Sequence, residues 1–200
     1  MSISILEQYL PSDTQPFLRR WFASYKIHIR ITRDRNSKLG DYRKMPDKSH
    51  EISINSTLDR QLFFFVLTHE LAHLIAFEKF GGRISAHGQE WKSTFREMLL
   101  ESISIYTSDL QPVIRQFAKN PKANFMASPE LVRYFHVDDP DDSQFFVEQL
   151  APDAEFLYKG DLYKIIEKKK KLYLCVNLKN SKKYLFRPLA KVEKNKTNEQ

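Results

Sequence analysis

Within the stretch from Thr68 to Trp91, THELAHLIAFEKFGGRISAHGQEW, the residues His69, Glu70 and His73 have the types and spacing for metal chemistry. On a helix, side chains four positions apart share a face. His69 and His73 can therefore aim both imidazoles at one ion, as tetrahedral zinc needs from its first two ligands. Glu70 sits one residue round from that pair, where a carboxylate can take a proton from water activated by the metal instead of coordinating it. A zinc site that keeps one position open for water uses three protein ligands, and the nearest candidate downstream is His87, beyond Gly81-Gly82. The glycines let the chain reverse. Trp91, Phe95, Met98 and Leu99 then recur at helical spacing over Gln89 to Leu100, so a second helix can return along the first with His87 near its start. His-x-x-x-His pairs also arise by chance on ordinary helices. The apolar run Leu62 to Leu67 argues against chance, because it takes the histidines into a buried environment where polar groups need a partner or an ion.

These helices need a scaffold. Ile27, Ile29 and Ile31 alternate with His28, Arg30 and Thr32, the period-two pattern of a half-buried strand. Two further strands, Asp41 to Met45 and Glu51 to Asn55, would complete a small antiparallel sheet before the motif helix. Asn55, Ser56 and Thr57 are candidate caps for that helix, which should run from Leu58 to about Phe80. Upstream, Ser2 to Tyr25 reads as one or two helices broken around Pro11 and Pro16, anchored by Phe17, Leu18, Trp21 and Phe22. Downstream, helices are expected over Gln111 to Ala118 and from Pro129, the latter capped by Ser128.

His69-Glu70-Leu71-Ala72-His73, the glycine pair and His87-Gly88-x-x-Trp91 together resemble the SprT-like zincin domain, shared by bacterial SprT proteins and the Spartan DNA-protein crosslink proteases. Lys38-Leu39-Gly40-Asp41-Tyr42-Arg43, Ile52 to Asn55, Asn120-Pro121-Lys122-Ala123 and a late basic β-rich segment extend the resemblance over most of the chain. It implies an α+β fold with a zincin-like core and a small C-terminal β-rich module. It also implies one Zn2+ per chain held by His69, His73 and His87, a catalytic Glu70, and proteins bound or crosslinked to DNA as substrates. The cysteine-rich zinc ribbon that many such proteins carry must be absent, because Cys175 is the single cysteine. A nucleic-acid-associated, transcription-linked regulator with a structural metal site is the other reading. Glu70 argues against it, since a structural site needs no base.

With 200 residues, 42% of them hydrophobic, the chain can bury one good core plus a small appendage. Residues 1–137 carry 19 cations against 14 acids, 138–155 carry seven acids and no cation, and 156–200 carry 13 cations against four acids. This divides the chain into a protease domain (1–137), an acidic linker (138–155), a basic hairpin or small sheet (156–190) and a flexible tail (191–200). Asp138 to Asp142 lacks the glycine and distal glutamate of a calcium loop, which favours a solvated linker. In the basic segment Leu172, Leu174, Val176 and Leu178 alternate with Lys171, Tyr173, Cys175 and Asn177, ahead of a turn at Asn180-Ser181. Lys168, Lys169, Lys170, Lys171, Lys182, Lys183 and Arg187 interleave there with Tyr163, Tyr173, Tyr184 and Phe186. Cations beside aromatic faces suit single-stranded or junction-containing DNA, although lysines are also common on solvated faces.

The remaining histidines, His28, His50 and His136, have no ligand spacing and receive no role. Tyr42, Arg43 and Tyr134 are the chemically able donors to an oxyanion. MSISILEQYLPSD has no signal-peptide pattern, and the longest apolar run is too short to span a bilayer. A soluble, cytoplasmic protein is expected, nucleoid-associated if bacterial, with no membrane partner.

Overall fold

The computed structural model describes residues 6–33, 35, 38–124, 128–136 and 144–194. Its described residues form an α+β structure of five α-helices and two sheets, divided into two compact units, Met1–Leu131 and Val132–Gln200.

In the first unit the alternating isoleucines build a three-stranded sheet from β1 (Ile27–Thr32), β2 (Gly40–Lys44) and β3 (His50–Asn55). The expected antiparallel sheet is in fact mixed. β3 lies between the other two, parallel to β1 and antiparallel to β2. Alternation reveals a strand but not its neighbours, and β3 takes the centre because five of its six residues are buried. The crossing from β1 to β2 is stapled by Arg35, whose guanidinium donates to Asn55 Oδ1 at 2.8 Å and Ser53 Oγ at 3.1 Å.

A 3-10 turn at Glu7–Tyr9 and α1 (Gln15–Phe22) precede the sheet. Of the four expected α1 anchors, Leu18 and Trp21 are buried, whereas Phe17 and Phe22 are only half-buried. The long helix α2 (Arg60–Phe80) starts later than expected. Its cap is Asp59, which accepts from the Gln61 and Leu62 amides, whereas Asn55 is engaged with Arg35 at the end of β3. α2 ends at Gly81, whose φ of 83° suits glycine and whose N–H donates to Phe77 O at 2.8 Å. The chain then returns as α3 (Gln89–Glu101). Phe65 meets Phe95 and His69 meets Trp91, so the two helices run antiparallel. α4 (Leu110–Ala118) adds Phe117 to the same aromatic cluster.

α5 (Pro129–His136) leads to the second unit. There β4 (Gln144–Phe146), β5 (Glu155–Tyr158), β6 (Asp161–Lys169), β7 (Leu172–Asn177), β8 (Lys183–Phe186) and β9 (Lys191–Lys194) form one antiparallel sheet ordered β4-β9-β5-β6-β7-β8. The expected linker and tail are therefore corrected. Residues 144–149 and 155 belong to this fold, with Val147 fully buried in its core, and residues 191–194 pair with both β4 and β5. Asp138 to Asp142 and residues 195–200 lie outside the described residues.

The face of β7 is also the reverse of what apolar content suggests. Tyr173, Cys175 and Asn177 point into the core, while Leu172, Leu174 and Val176 are only half-covered. Tyr173 fills more volume than a leucine. Asn177 can be buried because its side chain accepts from the Lys179 and Asn180 amides in the following turn.

Candidate metal centre

α2 and α3 bring three imidazoles together. His69 and His73 lie one turn apart on α2, with their Nε2 atoms 3.3 Å from each other. His87 arrives from the loop before α3, its ring centroid 5.5 Å from that of His69 and 4.6 Å from that of His73. One nitrogen from each ring lies within 4.8 Å of the others, a donor set that suits a single ion. Burial and the neighbouring His73 and His87 hold His69 down to about 3. Burial and His87 hold His73 down to about 4, against a hydrogen bond with the Ala86 backbone, and burial also lowers the more exposed His87. All three rings are thus neutral at pH 7, the state in which an imidazole offers a lone pair to a metal. This chemistry fits zinc, for which three neutral imidazole nitrogens are a suitable donor set.

Trp91 forms the wall behind the triad. Its indole N–H donates to His69 O at 3.4 Å, and its ring lies 4.7 to 5.2 Å from all three imidazoles. Its helical spacing marks it as a core residue, but nothing in the spacing alone says that it orients the ligands.

Glu70 is 7% exposed and faces β2. Burial, and then the charge of Asp41, push its carboxyl up to about 8, against Lys38, Arg35 and a hydrogen bond from the Tyr42 backbone. Burial would raise Asp41 too, but Lys38 and Arg43, each 2.8 Å from its carboxylate, hold it below the usual range. β2 approaches so closely that a Cβ on Gly40 would lie 2.6 Å from Glu70 Oε1 and 2.7 Å from Val66 Cγ1. Only glycine lets the strand pass there. Leu39 O is bonded to the last residue of β3 and Met45 N to Ser49 just before it, so the backbone groups of Gly40 and Lys44 and the Tyr42 carbonyl face the free edge, while the Tyr42 N–H is taken by Glu70.

Of the oxyanion candidates, Tyr42 turns its hydroxyl to His50 Nδ1 at 3.1 Å, and burial and Glu78 push it up to about 12. Arg43 is bound to Asp41, and Tyr134 belongs to the other unit. His50, assigned no role from sequence, is a buried partner of Tyr42, whereas His28 is exposed on β1 and His136 ends α5.

Residues 11–108 belong to the SprT-like family. This segment contains β1 to β3, α2, the triad and α3. The family is one of zincin-like, zinc-dependent metalloproteases, which accords with the donor set. No curated protein and no solved structure matches the chain. No described helix of this SprT-like chain is long and apolar enough to cross a membrane.

The basic residues of the second unit fall into two groups. Lys168 to Lys171 form the end of β6 and the β6–β7 turn, and Arg187 follows Phe186, the partner of Tyr173, near the same end. Lys182 and Lys183 lie beside Asn177 and Val176, roughly 13 Å further along the strands at ~3.3 Å per residue. The expected stacking platform is corrected, because Tyr163, Tyr173 and Phe186 are buried in the core and only Tyr184 is substantially open.

Proposed function

We propose that the chain is a zinc-dependent endopeptidase with a zincin-type core, in which His69, His73 and His87 would hold the ion and Glu70 is the general base. The observation that carries this is the convergence of three imidazoles beside the buried Glu70 carboxyl, which shares a helix with His69 and His73. Zinc held there would supply a Lewis acid for the scissile carbonyl and for the attacking water. An extended peptide pairs with the outward backbone groups of β2, so recognition depends little on side chains and many protein sequences can enter. A dication held by the imidazoles would favour the ionised form of Glu70 against the burial that raises it, and the carboxylate would then accept a proton from the attacking water and return it to the leaving nitrogen as the C–N bond breaks. Tyr42 steadies that carboxylate through its N–H, and Trp91 holds the imidazoles in register.

We further propose that substrates are proteins bound or crosslinked to DNA, with residues 1–137 as the catalytic domain and the basic sheet as the nucleic-acid contact. The support is electrostatic. Lys159 and Lys170 occupy hairpin turns with φ of 52° and 51°, a backbone region that favours glycine or asparagine, so each turn carries a cation at some conformational cost. With Tyr163, Tyr173 and Phe186 buried and Tyr184 alone of the four open, the contact is mainly to phosphates rather than to bases.

Glu70→Gln tests the catalytic reading, because it keeps shape and removes the base. Zinc content should persist while peptide hydrolysis falls to background. Cleavage at the parent rate would exclude Glu70 as the base, and zinc-bound protein with no hydrolysis in the parent would favour the structural-metal regulator.

A further inference from the structure

On the side of α3 turned away from the imidazoles, the first unit carries a cleft of about 330 Å3. Gln89, Lys92, Arg96 and Glu97 line it from α3, and Lys119 and Asn120 from the end of α4. The four α3 positions are spaced three, four and one apart and share a face, opposite Trp91 and Phe95, which pack on His69. Three cations thus face one carboxylate. Among the described residues, none of Lys92, Arg96 and Lys119 makes an ion pair, so all three charges are available to a ligand in the cleft.

We infer that this cleft between α3 and α4 binds a backbone phosphate of a nucleic-acid strand. A phosphate offers oxygens in several directions. The Arg96 fork, the two ammonium groups and the neutral amides of Gln89 and Asn120 can meet these together, whereas a planar carboxylate uses fewer of them. The volume suits a nucleotide-sized segment rather than a folded partner. The inference rests on the nucleic-acid part of the proposed function and adds a contact on the unit that bears the triad. Because the cleft lies behind α3, the strand does not compete with peptide for the metal face, and a protein attached to that strand is held beside the site.

The test is a salt titration of affinity for a labelled single-stranded oligonucleotide, run on the full zinc-loaded chain and three variants. One is Lys92→Gln/Arg96→Gln/Lys119→Gln. A charge-matched control is Arg19→Gln/Arg60→Gln/Lys79→Gln, at three exposed positions elsewhere in the unit. The third is Lys168→Ser/Lys169→Ser/Lys170→Ser/Lys171→Ser. The cleft variant should lose about tenfold in affinity near 0.1 M salt and flatten the log–log salt slope by about 0.7, the loss of one phosphate contact. The control should lose no more than about twofold. Zinc content and cleavage of a short free peptide should stay at parent values in all three. Equal losses in cleft variant and control would overturn the inference. So would poly-glutamate binding that is lost in the cleft variant while oligonucleotide binding stays, which would give the cleft to an acidic protein. If only the lysine-run variant weakens, the cleft inference fails and the nucleic-acid reading stands. A parent that binds no oligonucleotide would end both.

Discussion

The two units bury different chemistry. At the centre of the first lie Glu70, Thr68 and Asn55, groups that are costly to desolvate, with the half-buried His69 and His73 beside Glu70 on the same helix. The second is filled by Val147, Phe156, Tyr163, Ile165, Tyr173, Cys175, Phe186 and Val192, with its lysines outside. A cluster of like ionisable groups around a buried carboxyl is tolerated when something holds it together, and three imidazoles with one nitrogen each within 4.8 Å of the others point to an ion as that agent. The second unit needs no such agent. The difference teaches that metal should be part of the first unit's stability and irrelevant to the second's.

Metal removal is therefore the largest way to break the comparison. Both tryptophans, Trp21 and Trp91, lie in the first unit, so their fluorescence reports its melting alone. With free zinc about a thousandfold above Kd, binding should stabilise this unit by about 4 kcal/mol, and a chelator should abolish that gain. Amide exchange in β6 and β7 should not change. A fluorescence midpoint indifferent to chelator, or exchange that rises equally in both units, would defeat the contrast.

The second effect tests the conventional core. Tyr173→Ala removes a 9%-exposed ring from the cluster and should cost about 3 kcal/mol. Leu185→Ala, at a residue 57% exposed, should stay within about 0.5 kcal/mol. Urea unfolding of both variants decides it, and the opposite order would mean that the leucine face of the sheet is the covered one.

That reversal indicates what sequence can convey. The helix pair was legible because its chemistry constrains its geometry: His69 and His73 must share a face, and Gly81 must let His87 return. β7 was legible as a strand but not as a face, since both of its sides carry large apolar groups and burial was settled by the Asn177 turn and by Tyr173. The mixed sheet escaped because β1 and β2 are separated by a strand that comes after both in the chain. Asp59 was overlooked among four candidate capping residues in a row of five. Gly40, Trp91 and the Tyr42 amide serve the site only through which strand and helix pack beside α2, which no local spacing states.

Gly40→Ala exploits this third dimension. The new methyl would sit inside contact distance of both Glu70 Oε1 and Val66 Cγ1, so the carboxylate must move or β2 must retreat. A displacement near 1 Å should lower kcat/KM for a peptide by about 10²-fold, mainly in kcat, while zinc stays bound through the untouched histidines. Parent-like kcat would mean that Glu70 is not fixed by β2. Loss of zinc would mean that the strand supports the ligands rather than the base.

The smallest effect separates function from stability in the basic sheet. Lys170 occupies the two-residue turn between Lys169 and Leu172 with φ of 51°, where a side chain is crowded and glycine is not. Lys170→Gly should relieve that crowding and stabilise the second unit by about 0.5 to 1 kcal/mol, read as a higher urea midpoint at unchanged slope. The same change removes one cation from the proposed phosphate contact and should reduce the salt slope of DNA binding by somewhat less than 1. Stability and binding would then move in opposite directions at a single residue. A variant that gains stability and keeps its full salt slope would leave Lys170 as a solvated turn residue and confine any phosphate contact to its neighbours.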